Sequence, residues 1–232
     1  FCFLISKMRF FKDDYIPKYW FIVLFGLKVI VSIILTSIYT NYYTDRSTAD
    51  IFKYFDDSKV MFDALKTNPI DFVKMMLSLD FDSTYFNTNY YYKMNHWFRP
   101  YSNNFISDTH VVIRFNAFVR FFSFGYFQVH NIFINFISLL GLTAIYKAFK
   151  PFLKQKEKAF FYFITLFPSL LFWGSGLLKE GIIFFALGFL LLHYFKIIKQ
   201  FSFKSLLFIL LGIFLICFTK LYLLIALSIP LL

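Results

Sequence analysis

Apolar residues in this chain gather into long runs rather than into the alternating pattern of a half-buried strand. A helix that crosses a bilayer needs about 20 mostly apolar residues. Four or five stretches qualify. The first runs from Trp20 to Tyr39 and is interrupted only by Lys28. The second runs from Phe127 to Tyr146, and the third, shorter one from Ala159 to Trp173. The fourth spans Gly181 to Phe195 and the fifth Ser205 to Phe218, with the start of a sixth near Leu221. The pattern predicts an all-α integral membrane protein, a multi-span helical bundle.

The charges between the runs give it an orientation. Lys7, Arg9, Lys12 and Lys18 precede the first run. Lys147, Lys150, Lys154, Lys156 and Lys158 follow the second, and Lys196, Lys199 and Lys204 follow the fourth. These clusters fall on alternate connections and so share one side. Basic excess marks the cytoplasmic side. Residues 1–19 then form a cytoplasmic N-terminal segment, 20–40 the first span, and 41–126 a large outward loop. Residues 127–232 carry spans two to five or six. The expected location is the cell membrane, multi-pass.

Composition agrees. Of 232 residues, 59% are hydrophobic and 25% aromatic, and mean hydropathy is +0.63. A soluble domain of this length could not hide so much apolar surface. The net charge of +11 is a matter of topology, and no nucleic-acid partner is expected. Cys2 and Cys217 lie apart in apolar surroundings, which argues against a disulfide framework or a zinc site. The first residue is Phe and the last ten are apolar, so the chain reads as a fragment, with Met8 an alternative start.

The outward loop is too long for a simple connector. It holds as many Lys and Arg as Asp, and no Glu. Its first part, "TADIFKYFDDSKVMFDALKTNP", reads as an amphipathic helix capped by Thr48 and ended by Asn68–Pro69. Ile51, Phe55, Phe62 and Leu65 form an apolar stripe for the membrane surface, with Asp56, Lys59 and Asp63 opposite. Asp50, Tyr54, Asp57 and Met61 make a third line. Two carboxylates there are either a reactive pair or ordinary solvated groups of an interfacial helix. Tyr and Trp in the next part suit the headgroup level and also the stacking platforms of sugar sites. His96 reads as a surface histidine. Ser107 or Asp108 starts another helix, whose Arg114 and Arg120 point away from its apolar side, either toward lipid phosphate or snorkelling. Gly125 ends it.

"LFPSLLFWGSGLLKEG", residues 166–181, joins two apolar runs and carries Lys179 beside Glu180. The bland reading is a turn at the membrane surface; the sharper one is a site that meets a lipid headgroup.

A cytoplasmic N-terminus, one span, a large outward loop with surface helices and then close-set spans resemble the GT-C superfamily, membrane glycosyltransferases that use polyprenyl-phosphate-linked sugars. The superfamily includes the protein O-mannosyltransferase-like and lipid A aminoarabinose transferase-like branches. Asp50, Tyr54 and Ser58 fall where the family carries an acidic motif in its first outward loop, although Ile51 stands where several branches have Glu. "FPSLLFWGSGLLKEG" also looks like a segment of bacterial members. The resemblance implies that Asp50 is the general base, with Asp57 assisting it or holding a divalent metal. It implies that Lys179, Glu180, Tyr54 and Arg114 bind substrate. It also implies a polyprenyl-phosphate-linked sugar and membrane lipids as partners, and no soluble cofactor. The alternative is a polysaccharide polymerase or ligase, or a non-catalytic envelope protein, that does not depend on Asp50. Few titratable residues lie inside the spans and no internal repeat is seen, which disfavours a transporter.

Overall fold

The computed structural model describes residues 1–43, 45–79, 83–98 and 107–231, and these are helical with no strand. In chain order the helices are α1 Cys2–Lys7, α2 Lys18–Tyr42, α3 Asp50–Thr67, α4 Pro69–Leu77, α5 Thr84–Asn89 and α6 Asp108–Ser123. They continue with α7 Phe127–Phe149, α8 Glu157–Leu166, α9 Pro168–Trp173, α10 Lys179–Lys199 and α11 Phe203–Leu231. By length and composition, four stretches among them can cross a membrane: Lys18–Tyr42, Phe127–Phe152, Lys179–Lys199 and Phe203–Ser228. The chain divides into two compact units, one of residues 1–35 and 131–232, the other of residues 36–130.

The expected run from Ala159 to Trp173 is not one helix. Pro168 lacks an N–H and forbids helical geometry at the residue before it. Phe167 is accordingly extended in ψ (φ −58°, ψ 121°), and the run splits into α8 and α9. Lys220 (φ −147°, ψ 78°) kinks α11, at the place where the apolar pattern pauses before Leu221.

Ring and glycine contacts give the helix directions in the first unit. Trp20 meets Tyr162 at 5.6 Å and Phe21 meets Phe161 at 5.2 Å. Further along both elements, Lys28 bonds Gly174. Thus α2 and the α8–α9 pair run parallel. A Cβ on Gly181 would lie 2.8 Å from Ile134, and one on Gly188 would strike the carbonyl of Gly141. These contacts advance by seven residues on both helices, so α7 and α10 also run parallel and touch backbone to backbone. Only glycine permits that approach, and small residues make such close contacts between apolar helices. Since α7 and α10 point the same way, the chain between them must travel back, and α8–α9 is what returns it. His193 against Ser205 and Glu180 against Lys220 then make α10 and α11 antiparallel.

The three lysine-rich segments converge on one end of this unit. Asp13 accepts hydrogen bonds from Lys150 Nζ (2.7 Å) and Tyr146 OH (3.0 Å), and Lys147 donates to the Lys12 carbonyl. Burial tends to raise the Asp13 carboxyl, but these donors and the Tyr15 N–H outweigh it and hold it below its ordinary value. Phe10 stacks on Phe189, and Phe152 packs on Phe195.

In the second unit α3 lies against α6. Phe62, Phe72 and Phe121 meet edge to face where α3, α4 and α6 come together. Asn68 closes α3 and caps α4, accepting from Ile70 N. Thr48 is not the cap of α3; Ala49 holds that place, and Thr48 sits in a short turn capped by Asp45. Phe124 and Gly125, both at positive φ, turn the chain from α6 into α7.

Candidate functional site

The residues singled out from the sequence fall into two groups, one in each unit. Asp50, Tyr54, Asp57 and Arg114 belong to residues 36–130, Lys179 and Glu180 to the helical unit of residues 1–35 and 131–232.

Asp50 opens α3, where the free N–H groups of a helix start favour a carboxylate. Its side chain is 44% exposed; Lys53 Nζ lies 3.9 Å and His96 Nε2 3.7 Å from the same oxygen, Oδ1. His96 is buried, contrary to its reading as a surface residue. Its ring meets Tyr54 edge to face at 5.4 Å. A half-exposed carboxylate backed by an imidazole can take a proton from a hydroxyl that approaches from solvent.

Asp57 is placed differently. It is 1% exposed, and its two oxygens accept the backbone N–H groups of Asn95 and His96, both at 2.7 Å. Burial pushes its carboxyl up to about 6, against those two donors. Asp57 therefore fixes the backbone of residues 95 and 96 and is itself closed to solvent. The line Tyr54, Asp57 and Met61 is buried, together with Ile51 and Phe55, so α3 is not a helix with one apolar face laid on a surface. The 94–97 segment and α6 cover its polar line.

The described residues show no ready-made metal site at Asp57. Both Asp57 oxygens are taken by N–H donors, and among the described residues no three His, Cys, Asp or Glu side chains group as a metal would need.

Arg114 and Arg120 turn inward, where the sequence pattern suggested that they point outward. Arg114 donates to the Met75 carbonyl at 2.9 Å and lies over the Trp97 ring. Arg120 bonds Ser58 Oγ at 2.8 Å and the Phe55 carbonyl at 2.5 Å. Burial draws both guanidinium groups down to about 10. Trp97 is sandwiched between Tyr91 (4.1 Å) and His110 (3.7 Å) and buried, as is Tyr91. This stack is core, not a platform for sugar. Burial lowers His110 to about 4.

Ser123, His130 and Asn116 are joined as an acyl-transfer triad would be, with His130 Nδ1 on Asn116 Oδ1 (2.7 Å) and Nε2 on Ser123 Oγ (2.8 Å). All three are fully buried. The network ties the end of α6 to the first turn of α7.

In the helical unit Lys179 is the first residue of α10, and no side chain caps that helix start. Glu180 pairs with Lys220 at the kink of α11, at 3.4 Å. The joint that precedes them is not a surface turn. Residues 174–178 are buried, and Lys28, itself 2% exposed, donates to Gly174 O (2.9 Å) and Ser175 Oγ (3.2 Å). Lys28 stood out in the sequence as a lone charge inside a span, but its partners lie 146 and 147 positions away. On α7, the side chain of Asn135 and the hydroxyl of Ser138 are buried with no hydrogen-bond partner among the described residues.

Two clefts stand apart from these groups. One of about 310 Å³ in the second unit is lined by Asp63, Asn89, Tyr90 and Lys93 among others. One of about 710 Å³ lies between α10 and α11. Neither is lined by a residue that the sequence singled out for catalysis.

No protein-family model matches the chain, and no curated protein or solved structure is similar enough to count as a match.

Proposed function

We propose that the chain is a multi-pass membrane glycosyltransferase of the GT-C type, moving a sugar from a polyprenyl-phosphate donor to an envelope glycan, lipid or protein acceptor on the outer face. The observation that carries this reading is Asp50, a half-exposed carboxylate at a helix start with the His96 imidazole behind it. On this reading Asp50 takes the proton of the acceptor hydroxyl as its oxygen bonds the anomeric carbon. The bond from that carbon to the lipid phosphate breaks, and the leaving group departs as the phosphate anion.

Two features of the helical unit support the accompanying topology. The lysine-rich segments meet at one end of it, as basic segments on the cytoplasmic side would. The parallel course of α7 and α10 requires a return passage, and α8–α9 supplies it despite its break. The N-terminus is then cytoplasmic and residues 41–126 face outward.

A second reading, a polysaccharide polymerase or ligase or a non-catalytic envelope protein, draws on Lys53, since an i,i+3 pair with Asp50 is also what an ordinary solvated helix shows.

The test is a strain lacking the gene, complemented with Asp50→Asn or Asp56→Asn and compared for surface glycans at equal membrane abundance. Asp56 is paired with Arg46 on the exposed side of the same helix and serves as control. Glycan loss with Asp50→Asn alone supports the base. Wild-type profiles from both variants refute it.

A further inference from the structure

A cleft of about 710 Å³ opens in the helical unit where α10 passes into α11. Lys196, Lys199 and Lys204 line it, and none of its lining residues is acidic. Among the described residues no carboxylate pairs with any of the three.

The wall behind the lysines is apolar and ordered. Phe10 lies on Phe189 with ring planes 11° apart, Phe189 on Phe208 at 26°, and His193 on Phe208 at 15°. His193 is buried and held by Ser205 Oγ at 3.1 Å. The chain around the connection leaves Phe201, Phe203 and Leu207 exposed. Crowded ammonium groups above a wall of stacked rings suit a molecule with an anionic head and an apolar body.

We propose that this cleft binds a phosphate-bearing lipid headgroup, with the phosphate among Lys196, Lys199 and Lys204 and the chains along the phenylalanine wall. A free phosphate shares the head chemistry but gains nothing from the rings. Basic pockets between membrane helices hold anionic headgroups in this way, each cation adding to the affinity. The inference rests on the membrane reading and is independent of the glycosyltransferase reading.

Native mass spectrometry of the full chain in neutral detergent tests it, with phosphatidylglycerol, phosphatidylcholine or inorganic phosphate added. The wild type retains one phosphatidylglycerol in preference to phosphatidylcholine. K196Q/K199Q/K204Q weakens that retention about tenfold or more, while K154Q/K156Q/K158Q, which removes as many charges outside the cleft, leaves it unchanged. Should the first triple variant not fold, Lys199→Glu alone carries the comparison, and reduced retention is expected. Equal retention in all variants overturns the site. Binding of inorganic phosphate without retention of phosphatidylglycerol overturns the lipid as its occupant.

Discussion

Lys28 donates a hydrogen bond across 2.9 Å to the carbonyl of Gly174, 146 positions later in the chain. The bond satisfies the end of a short helix inside an apolar bundle. Unpaired backbone groups are costly there, because no water can replace the partner.

Lys28→Met keeps most of the stem and removes the donor. The Gly174 carbonyl is then left unpaired, and the protein loses about 1–3 kcal/mol of stability. Equilibrium unfolding in detergent measures it. Stability equal to or above the wild type would show that relief from a buried charge outweighs the lost bond.

Asp57 gives the second unit a pH dependence with a definite sign. Its folded value, about 6, lies above the ordinary 3.8, so the unfolded chain releases this proton first as pH rises. Its contribution to stability is full below pH about 4 and is lost as pH rises through about 6, a change of about 2–3 kcal/mol. Unfolding of wild type and Asp57→Asn between pH 4 and 6 isolates it. Wild type should lose about 2–3 kcal/mol relative to Asp57→Asn as pH rises across the window; a constant difference contradicts the assignment.

Gly188 and Gly26 should respond in opposite directions to the same substitution. A Cβ on Gly188 strikes the Gly141 carbonyl, whereas one on Gly26 meets nothing within 4 Å. Gly188→Ala costs about 1–3 kcal/mol by forcing α7 and α10 apart. Gly26→Ala gains up to about 1 kcal/mol from helix propensity. Thermal melts of the two variants, read side by side, decide it.

Arg120 spans two acceptors on α3, Ser58 Oγ and the Phe55 carbonyl. A lysine cannot reproduce that fork. Arg120→Lys therefore lowers stability by about 1–2 kcal/mol, visible in chemical denaturation. An unchanged midpoint would mean that the α3–α6 contact rests on its apolar residues alone.

Features encoded by neighbouring residues were legible in the sequence. Asn68–Pro69, Gly125 and the pause before Leu221 each mark a real interruption, because Pro, Gly and a lapse in the apolar pattern act locally. The all-helical class and the long apolar helices followed from run length. The inward polar line of α3 was not legible, since its partners arrive from afar. Asp57 is satisfied by N–H groups 38 and 39 positions later, and Ser58 by an arginine 62 positions later. For the same reason the local pattern alone points Arg114 and Arg120 outward. A charge pattern shows where water is avoided or sought, but not which carbonyl waits across a packed interface. The break at Phe167 is signalled locally by Pro168, but the apolar residues on both sides of it together have nearly the length of a single span.

That break has a consequence for how the chain is made. If the protein is built into a bilayer as it leaves the ribosome, α8 and α9 emerge before α10, at 10 and 6 residues. Neither is long enough to be held there alone. The α8–α9 stretch then settles only once α10 follows it, so in a stalled or truncated product ending near Gly174 that stretch should slip back out while α2 and α7, long enough to span by themselves, stay in place.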